Sequence, residues 1–166
     1  MIAGRGHGLA FHSYDHRAEA LDQLPRVRGV DLQVRGYRPP RSLLTAELTD
    51  HALSYWNFEW LLCSARRLGQ EIRLVNGLVK IPVHLDDYHL HTGALDRTAW
   101  LRELRALLAR LPFVGLGLHD CYAGRWLDWY GDLLDELAAT GDLRTCDELA
   151  DQAFLASSEG VERAAP

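Results

Sequence analysis

The chain has 166 residues, of which 48% are hydrophobic, with 18 basic and 23 acidic side chains giving a net charge of −5. That length and composition fit one globular domain with a sizeable core and exclude a disordered chain. The acidic balance argues against phosphate-backbone binding, and no apolar run is long enough to span a bilayer or to form a signal peptide.

The first element in chain order is a short apolar strand over Gly8 to Phe11, ending at two histidines, His12 and His16. Val30 to Val34 reads V-D-L-Q-V, the period-two pattern of a half-buried strand. Two consecutive prolines then forbid helix in "GYRPPRS". Thr45 to Leu68 reads as helical overall, with Leu61, Leu62, Ala65 and Leu68 as the apolar stripe and Gly69 as its stop. "EIRLV" and "LVKIPVHL" are two further strands. Asp96 is placed to cap a helix running to about Arg110, with Trp100, Leu101, Leu104, Leu107 and Leu108 on one face. "FVGLGLHD" is the clearest buried strand. "RWLDWYGDLLDELAAT" is an amphipathic helix ended by Gly141, and Thr145 opens a last helix with Glu148 completing a capping box. The domain is expected to span residues 1–157, with residues 158–166 as a frayed tail.

This alternation of strands and helices implies an α/β fold with a mostly parallel sheet. In such folds chemistry collects at the carboxyl ends of strands, and His12/His16, Arg38, Asp86/Asp87 and His119/Asp120 all fall at such ends.

Each cluster has two readings. His12 and His16, four apart, suit a zinc-like ion or a solvated turn; Asp15 between them is a partner to a ligand or a helix-start residue. Arg38, stiffened by Pro39 and Pro40, is a carboxylate clamp or a surface arginine. Asp86 and Asp87 are adjacent on a strand end, so their side chains point to opposite sides and only one faces a site; the alternative is a turn-forming pair. His84, His89 and His91 are extra ligands or exposed loop residues. His119 at the mouth of an apolar strand is a general acid or base, against a core-edge histidine bonded to backbone. Cys121 offers a thiol nucleophile beside His119, or a small buried residue. The tryptophans are mainly core, with Trp126 a candidate wall of a sugar-binding groove. Three widely spaced cysteines, Cys63, Cys121 and Cys146, exclude a disulfide framework and fit a reducing, cytoplasmic compartment.

Taken in order, these motifs resemble those of the polysaccharide deacetylases, the NodB-homology family of carbohydrate esterases. "HSYDH" looks like the family's H-S/T-x-x-H metal motif, and the preceding "RGHGLAF" resembles its local context. "YRPP" resembles its R-x-P loop, "HLDDY" falls where it places an aspartate, and "GLGLHD" resembles its closing L-x-H strand. Together they cover residues 4–155, and their order carries the likeness. Cys121 and "YAGRWLDWY" mark a divergent branch.

The resemblance implies an incomplete distorted (β/α) barrel that hydrolyses the N-acetyl groups of an amino-sugar polymer or glycan. It implies one divalent metal, zinc, with cobalt, nickel or manganese as alternatives, held by His12 and His16 with an aspartate. The metal would polarise the acetamide carbonyl and activate water. An aspartate base would take the water's proton, Arg38 would orient that base, and His119 would protonate the leaving amine. Asp86 or Asp87 would tune His119, a backbone amide near Arg41 would hold the oxyanion, and Leu118 would line the acetate methyl pocket. The partner is then a carbohydrate, with the oligomeric state open.

The family's first motif, a strand ending in paired aspartates, should precede "HSYDH" by several tens of residues, whereas Met1 lies eleven positions before His12. The base, the third ligand and the first strand are therefore expected to be missing, leaving an open sheet edge. The start is misassigned, the chain is a degenerate fragment, or Asp15 or Asp120 substitutes. The corresponding alternative functions are an inactive deacetylase-like binding or scaffold domain and a Cys121/His119 hydrolase.

Overall fold

The computed structural model describes residues 7–13, 21–29, 34–46 and 48–163. In order the elements are β1 (Ala10–Phe11), α1 (Leu24–Arg28), β2 (Gly36–Tyr37), α2 (Asp50–Tyr55), β3 (Trp60–Ser64), α3 (Ala65–Leu68), β4 (Arg73–Val75), β5 (Leu78–Val83) and β6 (Leu85–Asp86). They continue with α4 (Tyr88–Thr92), α5 (Arg97–Arg110), β7 (Leu116–Gly117), α6 (Tyr130–Thr140) and α7 (Cys146–Arg163). The fold is mixed α/β with mostly parallel strand pairing. Two compact units divide it where composition alone suggests one: Met1–Pro82 with Arg144–Pro166, and Val83–Leu143.

The first unit holds a sheet of order β1-β2-β3-β5-β4. β1 and β3 both run parallel to β2, and β4 pairs antiparallel with β5 across a turn in which Asn76 and Gly77 both take positive φ. Its core is built on stacked rings: Phe11 lies 5.8 Å from Tyr37 and 6.4 Å from Phe58. Leu24, Val34, Leu53, Leu61 and Leu78 fill the space around them. Gly36 is required where it stands, because a Cβ there would come within 2.1 Å of the Trp60 ring.

Trp60 in turn ties the sheet to α7, its indole N–H donating to Asp147 at 2.7 Å. Arg35 reinforces the tie, donating to Glu59 and to Asp151 at 2.5 Å each. α7 starts as its capping box requires: Glu148 accepts from the Thr145 amide at 2.7 Å and the Thr145 hydroxyl accepts from the Glu148 amide at 3.2 Å. Its helical backbone continues beyond Ser157 to Arg163, into the segment expected to be tail.

The single helix expected over Thr45 to Leu68 is three elements. α2, capped by the Thr49 hydroxyl, stops at Tyr55; Asn57 takes a φ of 56° and reverses the chain; β3 then occupies Trp60–Ser64 before α3 closes at Gly69, φ 90°. The run Trp60-Leu61-Leu62-Cys63 is continuously apolar, and such a run fits a buried strand as well as a helix. The strand expected over Val30 to Val34 falls, except for Val34, outside the described residues; the pairing segment next to it is β2.

The second unit holds the two-stranded parallel sheet of β6 and β7, in register Leu85 with Leu116 and Asp86 with Gly117. Its core gathers Leu85, Leu90, Trp100, Leu104, Trp126, Trp129 and Leu133. α5 is as expected: Asp96 Oδ1 accepts from the Ala99 amide at 2.8 Å, and Trp100 and Leu104 are buried. "FVGLGLHD" is reduced to the two residues of β7, because its glycines and Pro112 leave little to pair. The helix expected from Arg125 begins at Tyr130; 3-10 turns over Asp120–Arg125 and Leu127–Trp129 precede it.

Candidate active site

The second unit presents a polar cluster built on a fully buried carboxylate. β6 ends at Asp86, and Asp87 follows it at the turn into α4 with φ −86° and ψ 4°, so the change from strand to turn backbone, not alternation along a strand, separates the two side chains. Asp86 Oδ1 accepts from the Tyr88 amide at 3.1 Å, forming the turn into α4, while Asp87 points inward and is 0% exposed. It is the one charged side chain in the buried set of described residues.

A buried carboxylate costs several kcal/mol unless it is hydrogen-bonded, and Asp87 is met by three donors. Its Oδ1 accepts from the His119 ring Nδ1 at 2.5 Å. Its Oδ2 accepts from the His119 backbone amide at 2.8 Å and from the Trp126 indole N–H at 2.8 Å. The Asp87 amide donates to the Gly117 carbonyl at 3.2 Å, extending the β6–β7 pairing to the site. Asp87 is thus anchored by backbone and side chain, and it fixes the His119 ring with Nδ1 inward. The opposite ring nitrogen, Nε2, lies on the edge away from Asp87, and the His119 side chain is 31% exposed. A histidine held this way through Nδ1 has Nε2 left for exchanging a proton with a ligand.

Trp126 is buried and serves as a donor to Asp87, so its faces pack in the core instead of forming the open groove wall its sequence suggests. Nothing local announces this role, since the two residues are 39 positions apart. Leu118 is half-buried against the same core. Cys121 is exposed, its amide donating to Asp120 Oδ1 at 2.8 Å, and among the described residues no hydrogen bond joins its thiol to His119. His84 Nδ1 accepts from the Gly115 amide at 3.0 Å, a structural role. His89 and His91 are exposed on α4.

The remaining candidates belong to the first unit. At the end of β1, His12 Nδ1 donates to the Arg38 carbonyl at 2.7 Å, while the Arg38 amide donates to the Phe11 carbonyl at 2.9 Å. The first bond places the ring proton on Nδ1 and the lone pair on Nε2, the tautomer a metal-ligating histidine needs. His16 and Asp15 lie outside the described residues. Among the described residues no three or more His, Cys, Asp or Glu side chains are grouped to hold a metal ion, so His12 is the one expected ligand whose geometry can be matched to that role.

Arg38 is half-buried near two thiols. Burial pushes the Cys146 thiol up to about 11 and also raises that of Cys63, with the Arg38 charge pulling both the other way. Arg41 is exposed at φ 55° in the Pro40–Ser42 turn, and the next two amides, Ser42 and Leu43, donate within that turn to the Pro39 and Pro40 carbonyls at 3.1 Å each.

No family model matches the chain, and no curated protein matches it. Among the described residues no helix is long and apolar enough to cross a membrane.

Proposed function

We propose that this chain is a deacetylase-like hydrolase that removes N-acetyl groups from an amino-sugar glycan, built on an incomplete distorted (β/α) barrel of the polysaccharide deacetylase type. The observation that carries the reading is the Asp87–His119 pair: a fully buried carboxylate, saturated with donors, that orients one partly exposed imidazole. The order of "HSYDH", "YRPP", "HLDDY" and "GLGLHD" supports it from the sequence.

Under this reading His12 and His16 hold a divalent metal, zinc by preference for imidazole ligands. When bound, the metal supplies Lewis acidity toward the acetamide carbonyl and a more acidic water. The chain's own residues supply proton delivery. His119, as the imidazolium, donates its Nε2 proton to the amine nitrogen as the C–N bond breaks. Asp87 accepts from Nδ1 and keeps the ring in place throughout, and Trp126 together with the His119 amide holds Asp87 in position. General acid catalysis of this kind contributes about 10²–10⁴-fold. Leu118 is assigned to the acetate methyl.

Acetate release from N-acetylchitotetraose, with zinc supplied to the full chain, tests the reading. Release that falls at least a hundredfold in His119→Ala supports it. No release from the wild-type chain overturns it, and retained oligosaccharide binding in that case assigns the chain to a non-catalytic binding role.

A further inference from the structure

His119 stands beside a cluster of aromatic rings. Tyr122 lies 5.3 Å from His119, centroid to centroid, and His91 stacks on Tyr122 at 3.9 Å with 13° between the planes. Tyr88 lies beside this stacked pair, 6.4 Å from Tyr122 and 6.5 Å from His91, so the three rings make a triangle. The rings come from two turns that are both fixed next to the Asp87–His119 pair. Tyr88 starts α4, its amide held by Asp86 Oδ1 at 3.1 Å. Tyr122 sits on the 3-10 turn after His119, its amide donating to the His119 carbonyl at 3.0 Å.

The cluster is anchored through its backbone and uncovered at Tyr88. Tyr88 is 53% exposed, an aromatic surface that water solvates poorly. The rim of the cluster is polar: two phenol hydroxyls and the imidazole of His91. The Tyr122 phenol, a donor and acceptor, is raised by desolvation. Tyr88 is tilted 55° to Tyr122 and 44° to His91, so the exposed Tyr88 ring is the one apolar surface offered, with the other two rings as its flank. Such a ring is complementary to a pyranose, whose C–H face is apolar and whose edge carries hydroxyls. A nucleic-acid base would also stack, but the chain's net charge of −5 repels the phosphates that accompany it.

We propose that Tyr88, backed by Tyr122 and His91, forms a stacking subsite for a sugar ring of the substrate, beside the ring that His119 serves. This deepens the deacetylase-like reading and rests on it for the class of substrate. The subsite would hold a neighbouring residue of the chain and thereby favour oligomers over the monosaccharide. Pre-ordered rings make this binding inexpensive in side-chain entropy.

Isothermal titration of the zinc-supplied full chain with N-acetylchitotetraose tests it. The wild-type chain should bind the tetramer. Tyr88→Ala should weaken binding about tenfold, while Tyr88→Phe, which keeps the ring, stays within about twofold. Equal binding by Tyr88→Ala and wild type overturns the subsite, as does failure of the wild type to bind the tetramer. Parallel acetate assays separate the two proposals. Tetramer binding that depends on Tyr88, with no acetate released by the wild type, keeps the subsite and removes the deacetylase reading. Acetate release with an unchanged KM in Tyr88→Ala keeps the deacetylase reading and removes the subsite.

Discussion

Asp87 holds His119 with both carboxylate oxygens, Oδ1 taking the ring Nδ1 at 2.5 Å and Oδ2 the backbone amide at 2.8 Å. One side chain therefore fixes where the histidine's backbone lies and how its ring is turned. A histidine at the end of a two-residue strand would otherwise sample several rotamers. The arrangement converts a loop residue into an oriented one, which proton transfer requires.

The three cysteines should separate by reactivity. Cys121 is exposed, whereas Cys63 is fully buried and Cys146 is held as a thiol by burial that pushes it up to about 11. Iodoacetamide applied to the folded chain near pH 8, followed by peptide mass spectrometry, should modify Cys121 first and leave Cys63 and Cys146 largely intact until denaturant is added. Rapid labelling of Cys146 in the folded chain would contradict the docking of α7.

The same docking makes a prediction at two glycines. A Cβ on Gly36 would meet the Trp60 ring at 2.1 Å, with no room for a bulky indole that is also bonded to Asp147. Gly36→Ala should cost about 1–3 kcal/mol through overpacking. A Cβ on Gly8 would instead meet the Asp147 carboxylate at 2.8 Å, the far end of a side chain that can shift. Gly8→Ala should therefore cost less, within the roughly 0.5–1.5 kcal/mol of one hydrogen bond. Urea unfolding of both variants checks the order; equal effects would mean that Trp60 does not lie over Gly36.

Stability should fall with acid partly through Asp151. The hydrogen bond from Arg35 holds its carboxyl below the usual aspartate range. A folded-state value below the unfolded one means the contribution is present above about pH 4 and lost as pH falls through the lowered value. Asp151 is more than half exposed, so the pair is worth at most about 1 kcal/mol and is screened by salt. Asp151→Asn should be less stable than wild type at pH 7 and indistinguishable from it in strong acid. Denaturation curves from pH 2 to 7 measure this, and a gap that persists at pH 2 would contradict it.

What the sequence makes legible here is what short-range chemistry decides. Asp96 caps α5 and Thr145 with Glu148 starts α7 because both motifs act within one turn. Asp86 and Asp87 do part, as their adjacency suggests, but Asp87 has already left the strand for the turn into α4, so the reason is the turn and not strand alternation. The extent of elements in apolar or glycine-rich runs is set by tertiary partners instead. Trp60-Leu61-Leu62-Cys63 becomes a strand because β2 and β5 flank it, and "FVGLGLHD" shrinks to β7. The site divides in the same way. His119 at a strand end is visible in one segment, but the indole of Trp126 reaching Asp87 and the cluster of rings from Tyr88 to Tyr122 exist only once distant turns pack together.

The measurement that tests the central claim most directly is the steady-state rate of acetate release from N-acetylchitotetraose by zinc-supplied wild type and Asp87→Asn, both confirmed as folded. Asparagine keeps the size of the side chain but replaces one acceptor oxygen with a donor amide facing the Nδ1–H of His119. The variant should lose about 1–3 kcal/mol of stability, so it is assayed well below its unfolding midpoint. The account predicts a fall in kcat of about 10²–10⁴-fold with little change in KM. A variant that remains folded and turns over at the wild-type rate would contradict it.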